Sequence, residues 1–130
     1  MNIPSGLYYT RDHEWLRVEG DEGAVGITDY AQGELGDIVY VDLPDIGSVV
    51  TQGKAFGTIE AVKAAADLYA PVSGEVVAVN GLLDQSPELI NKSSYDDGWI
   101  IKIKLADKHE LETLLSVEAY RKLVAEAGKE

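Results

Sequence analysis

Two β-compatible segments, Ala55 to Ala61 and Asp67 to Ala70, flank a run of small residues that holds one lysine, Lys63. Pro71 and the turn signal Ser73-Gly74 close the second segment. The simplest geometry is two short strands meeting at a turn that carries Lys63. Such a turn holds an ammonium in water, and Ala61, Ala64, Ala65 and Ala66 leave room for a modifying enzyme to approach it. A lysine at a turn is by default a solvated surface charge. The rest of the chain decides whether this one is more.

The remaining sequence reads as a succession of short strands. In Glu14 to Glu19, Leu16 and Val18 fall on one face and Arg17 and Glu19 on the other, a period of two. Gly20 to Gly23 is the expected turn and Ala24 to Thr28 the returning strand. Asp29 and Gln32 have capping-box spacing, which predicts a short helix from Tyr30 to Leu35 ended by Gly36. Asp37 to Asp42, Ser48 to Val50 and Gly74 to Val79 read as strands, and Asn80-Gly81 as a turn. Ser86-Pro87 predicts a brief helix to Asn91. Trp99 to Leu105 is a strand with Lys102 and Lys104 outward and Ile101, Ile103 and Leu105 inward. Asp107 with Glu110 forms a second capping pair. Ser116 caps a last helix carrying Val117, Tyr120, Leu123, Val124 and Ala127 on one face, with Gly128 at its end.

A weak repeat, Pro-x-x-Gly-x-Val-Val, occurs at Pro44 to Val50 and again at Pro71 to Val77. Its copies lie on either side of Lys63, suggesting two similar β units with the lysine hairpin at their junction. The expected architecture is mainly β with small α elements: a flattened barrel or sandwich with helices at the termini. At 130 residues, the chain suits one domain spanning 1–130.

Composition removes several chemistries. There is no cysteine, so thiolate catalysis and Cys-ligated metals are out. His13 and His109 are far apart in sequence, and neither has a second histidine at metal-binding spacing. A formal charge of −12 repels nucleic acid and anionic membranes and favours transient docking to basic partner surfaces. The N-terminus has no charged and apolar leader pattern, and no run has the length of a membrane span, so a cytoplasmic protein is expected, or a processed organellar form. The compact size of the chain leads to the expectation of a monomer.

Glu60-Ala61-Val62-Lys63-Ala64, followed by Asp67 to Val76, closely resembles the lipoyl-lysine segment of the glycine cleavage system H protein family. Further blocks follow the family's order: His13-Glu14-Trp15, Gly26 to Gln32, Leu35 to Val39, Asn80, Pro87 to Asn91 and Tyr95 to Trp99. The resemblance covers nearly the whole chain. Its departures are Ala61 where many members have Ser, Ala65-Ala66 in place of a more polar pair, and Ser94 where Pro is common. Biotin carriers look like Ala-Met-Lys-Met instead, and phosphopantetheine carriers attach through serine on a helix.

The resemblance implies a flattened β barrel-sandwich of the lipoyl/biotinyl-carrier type, with lipoate in amide linkage on Lys63. It implies a non-catalytic carrier in glycine catabolism and one-carbon metabolism. The carrier would pass the aminomethyl group and reducing equivalents of glycine between glycine decarboxylase (P protein), aminomethyltransferase (T protein) and dihydrolipoyl dehydrogenase (L protein), after loading by a lipoate ligase or lipoyltransferase. The arm would reach about 15 Å, and tethering supplies effective concentration. By position, Glu14 and Asp67 match acidic residues of a cleft that shelters the arm, and Glu60 matches an acid read by the ligase. Each is otherwise an ordinary surface carboxylate. A related reading is an H-like lipoate-relay protein that donates lipoyl groups to other carriers. A free-standing enzyme is the contrasting class, and the absence of a metal cluster, a cysteine and a Gly-rich phosphate loop argues against it. His13 reads as structural, Trp15 and Trp99 as core or rim packing, and Gly74 as support for a tight turn.

Overall fold

The computed structural model describes residues 1–127. In chain order the elements are β1 (Tyr8–Tyr9), β2 (Glu14–Glu19), β3 (Glu22–Ile27), α1 (Asp29–Leu35), β4 (Ile38–Asp42), β5 (Val49–Val50), β6 (Ala55–Ala61), β7 (Ala65–Tyr69), β8 (Gly74–Val79), α2 (Leu89–Lys92), β9 (Ile101–Leu105) and α3 (Val117–Ala127), with 3-10 helices at Gly81–Asp84 and Lys108–Thr113. The strands form two antiparallel sheets, one ordered β1-β2-β3-β9-β8-β5 and one ordered β4-β6-β7. They make a sandwich that does not close into a barrel, the open form of the architecture expected from sequence. Leu16, Val25, Ile59, Leu68, Val76, Ile101 and Ile103 fill its interior, each almost fully buried. Each such side chain is worth roughly 1.5–3 kcal/mol of transfer free energy.

A second, smaller core lies outside the sandwich. Trp15, one step along β2 from Leu16, is also fully buried. It packs with Tyr9, Tyr95 and the α3 residues Val117, Tyr120 and Val124. The C-terminal helix therefore covers the face of β2 that strand alternation alone would leave to solvent. Ser116 caps that helix as expected, its hydroxyl accepting from the Ala119 N–H at 3.2 Å. Gly128, expected to end it, lies outside the described residues.

Most boundaries follow the sequence, and the exceptions have local causes. The β2–β3 turn is tighter than expected, only Gly20-Asp21, with Gly20 at φ 64°. Helix α1 is capped by Thr28, whose hydroxyl accepts from the Ala31 N–H at 3.2 Å, and Asp29 enters the first turn instead. A hydroxyl at this position is worth about 1 kcal/mol. Gly36, at φ 83°, ends the helix as read from sequence. Ser86 does not cap α2. Its N–H closes the preceding 3-10 segment on the Leu82 carbonyl, and α2 starts only at Leu89. Asn80-Gly81 is no hairpin turn either. The Asn80 side chain accepts from the Leu82 N–H and donates to the Asp97 and Trp99 carbonyls, so it opens a 3-10 helix and anchors a distant loop.

Asp107 caps the second 3-10 helix, but Glu110 does not complete a capping box. Its carboxylate accepts instead from the N–H and hydroxyl of Ser73, at 2.7 and 2.8 Å. Gly74 is not a turn residue. A Cβ there would sit 2.0 Å from the Lys104 carbonyl oxygen and 2.6 Å from an Ile103 methyl, so glycine is required by the close approach of β8 and β9. The two repeat copies meet directly: Val49 pairs with Glu75, and the Val76 N–H donates to the Ser48 carbonyl. Lys102 and Lys104 are exposed as expected, and the Lys102 ammonium lies 5.0 Å from the centre of the Trp99 ring.

Candidate functional site

The hairpin β6–β7 forms as the sequence predicts. Thr58 pairs with Asp67 and Glu60 with Ala65, and the Ala61 N–H donates to the Ala64 carbonyl at 2.7 Å to close the tip. The Val62 N–H donates to the Asp37 carbonyl, tying the tip to the strand beside it. Lys63 is exposed at this tip, and its neighbour Val62 is 76% exposed. The lysine stem lies back over Gly36 at the end of α1. A Cβ on Gly36 would stand 3.2 Å from Lys63 Cε. Glycine at that position thus serves both the helix stop and the path of the lysine.

Beside the tip, between α1 and β7, runs a groove of about 330 Å³. Its apolar floor is built from Ile27, Leu35, Ile59 and Leu68. Asp12, Glu34 and Asp67 stand exposed around it, the buried Glu14 lies in its wall, and His13 and Tyr30 also line it. The two acids singled out from sequence, Glu14 and Asp67, come from strands far apart in the chain and line this one groove. Glu60 does not line it. It is exposed on β6 near the tip, opposite Ala65 and Tyr40. Since Gly36 directly follows Leu35, the lysine stem and the groove adjoin at the C-terminal end of α1.

Glu14 differs from the other acids. It is 2% exposed, accepts from the Thr10 hydroxyl at 2.6 Å and from the Tyr69 N–H at 3.3 Å. Burial pushes its carboxyl up to about 8, against the opposing pull of those two hydrogen bonds. Asp67, by contrast, is open to water. A groove with an apolar floor, three exposed carboxylates at its rim and the buried Glu14 carboxyl in its wall suits a slender apolar chain that ends in a cation. Among the described residues no group of His, Asp and Glu side chains is arranged to hold a metal.

The contribution of α1 was invisible at the sequence level. Tyr30 and Glu34, and Ala31 and Leu35, are i, i+4 pairs on one helix face. That spacing identifies a face without saying what it looks onto. His13, read as structural, proves to stand on the groove wall.

The model of the glycine cleavage H-protein family matches residues 7–127. A glycine cleavage system H protein of Bacteroides thetaiotaomicron is 53% identical over 124 residues, covering 95% of this chain and 98% of that protein. One from Halothermothrix orenii is 52% identical over 126 residues, covering 97% of this chain and 98% of that protein. Among solved structures, the crystal structure of a glycine cleavage system H protein from Mycobacterium marinum superposes with a TM-score of 0.84 at 34% identity, covering 97% of this chain and 99% of that one. With a match of this extent, and with a hairpin lysine standing beside an acidic groove, the chain belongs to the glycine cleavage H-protein family.

Proposed function

We propose that this protein is a lipoyl carrier of the glycine cleavage system, and that Lys63 Nζ is its attachment point. The observation that carries the reading is the placement of one exposed lysine at a hairpin tip next to a carboxylate-rimmed groove. The residues present suit the group: an unhindered amine for amide formation, small neighbours around it, and an apolar groove within the same surface. When bound, lipoate would supply a dithiolane that is reduced as it takes up the aminomethyl group of glycine.

The protein's own residues hold, shelter and present. The paired strands fix Lys63 at the tip, so a loading enzyme meets a lysine whose backbone is already ordered. Glu60, exposed near the tip, is in reach of such an enzyme and is assigned to its recognition. Glu14 and Asp67 are assigned to the groove, where they favour an ammonium and keep it from the bulk solvent. Glu14 would give up its proton to gain such a partner, because a cation beside it stabilises the charged carboxylate.

The reaction steps belong to partner enzymes: glycine decarboxylase, aminomethyltransferase, dihydrolipoyl dehydrogenase and a lipoate ligase or lipoyltransferase. In this reading the carrier itself is not an enzyme, acts as a single 1–130 domain and works in the cytoplasm with its partners. The groove favours this role over lipoate relay alone, since relay requires the lysine and its hairpin but no shelter for a cationic end.

The test is mass spectrometry of the protein co-expressed with a lipoate ligase in the presence of lipoate. One added lipoyl group on the peptide containing Lys63 is the expected result. An unmodified protein, with the ligase active on another carrier, would overturn the proposal. If loading succeeds, acceptance by purified glycine decarboxylase separates the glycine cleavage role from relay.

A further inference from the structure

His13 has a backbone conformation that its neighbours do not share. It is the only non-glycine residue with positive φ among the described residues, at 69°. Side chains with a Cβ adopt that region at a cost, and such outliers persist where something holds them. Here both ends of the residue are held. Its N–H donates to the Thr10 carbonyl, and its carbonyl accepts from the N–H of Thr28, the cap of α1. A glycine would make the same two backbone bonds without strain. The conformation is therefore explained by where it sends the imidazole.

That ring is held from two sides. Its Nδ1 lies 2.9 Å from the Tyr120 hydroxyl, which is itself 2.6 Å from the Thr28 hydroxyl. Tyr120 is stacked on Tyr9 with ring centres 4.5 Å apart, so it is not free to follow the histidine. On the other side the imidazole meets the Tyr30 ring of α1 at 4.8 Å. Its remaining surface lines the groove. None of these contacts is needed to cap α1, because Thr28 already accepts from Ala31. Burial lowers the His13 pKa, which favours the neutral ring beside the exposed carboxylates of Asp12, Glu34 and Asp67, and a neutral ring does not repel a cation.

We propose that His13 is a positioning residue of the groove: Tyr120 of the C-terminal helix clamps its imidazole against Tyr30, and this fixed wall holds the cationic end of a Lys63-linked arm near Glu14 and Asp67. The inference rests on the reading of the groove as the arm's shelter. It gives α3 a part in the site, through a side chain reached from 107 residues away in sequence.

The test uses the full-length lipoylated protein. Its arm is reduced and capped with 2-bromoethylamine, each thiol forming an S–C bond with loss of bromide and a proton. The product carries two stable thioethers, each ending in an ammonium. The chain has no cysteine, so the thiols of the arm are the intended targets. A control is capped with bromoethane, which adds no charge. Backbone amide NMR shifts of Tyr30 to Leu35 and Ala66 to Leu68 then report docking, and thermal unfolding of the unlipoylated protein reports stability. Wild type is expected to show shift changes specific to the ammonium cap. His13→Gly, which relieves the backbone, and His13→Asn, which tolerates it, are both expected to lose those changes while their Tm stays within about 5 °C of wild type. Docking retained in either variant would overturn the inference and leave the groove reading intact. So would a large drop in Tm in both, which would make His13 a purely structural residue. No ammonium-specific change in wild type would overturn the groove reading, and this inference with it.

Discussion

Glu14 is the residue whose chemistry departs furthest from its type. Its carboxyl is raised from an ordinary 4.5 to about 8 by burial. In the folded state the group therefore keeps its proton between those values, whereas the unfolded chain releases it. The folded form binds more protons, so stability is fully present below pH 4.5 and is lost as pH rises toward 8. The slope reaches at most roughly 1.4 kcal/mol per pH unit. Glu14→Gln removes this component, since the amide does not titrate. Urea unfolding of both proteins from pH 5 to 9 should show the variant gaining on wild type up to about pH 8 and then running parallel. A constant gap would mean that Glu14 titrates normally. Lys63→Arg should behave in the opposite way. It leaves stability within about 0.5 kcal/mol, as expected of an exposed site, but blocks lipoate loading, because a guanidinium does not form the required amide. Lipoate found on a folded Lys63→Arg protein would place the attachment elsewhere.

Among the elements, the β8–β9 contact is the least forgiving. Any side chain at Gly74 must displace the Lys104 backbone, not merely a flexible side chain. Gly74→Ala should cost about 3 kcal/mol, by overpacking and loss of ladder geometry. Gly81→Ala is the control: nothing lies within 4 Å of its Cβ position, its φ is not positive, and little change is expected. Denaturant midpoints of the two variants decide the point, and equal midpoints would refute it. The pair also shows what the sequence makes legible. Strands and the lysine hairpin were readable, because β-branched runs and turn residues act over a few positions. The roles of Gly74, Asn80 and Glu110 were not, since each is set by a partner brought in from another part of the chain. Glu110 and His109 look alike as polar residues after Asp107, and only the fold brings Ser73 to one of them. The groove follows the same rule. Glu14 and Asp67 were singled out only by their positions in the family resemblance, and α1 and the His13–Tyr120 contact join residues whose distance in sequence leaves no periodic trace.

At the scale of the whole molecule, charge dominates. The formal charge of −12 leaves few cations to offset the acids around the hairpin and groove. Asp37 and Glu60 flank the tip, and Asp12, Glu34 and Asp67 follow along the groove, all exposed. An acidic face around the presented lysine would repel a second copy of the chain and attract a basic surface, steering encounters before any close contact forms. Val62 and Tyr40, exposed in the same region, can then supply the short-range apolar contact. Such encounters weaken as salt shortens the range of the field to a few ångströms. For glycine decarboxylase, the partner proposed above, the association rate constant should therefore fall on the order of tenfold from low to high ionic strength, with a smaller effect on dissociation. Stopped-flow binding across a salt series measures both. An association rate indifferent to salt would show that partners are recognised through the apolar tip alone. In that case Glu60→Gln should leave binding unchanged, whereas under charge steering it slows association and leaves dissociation nearly as before.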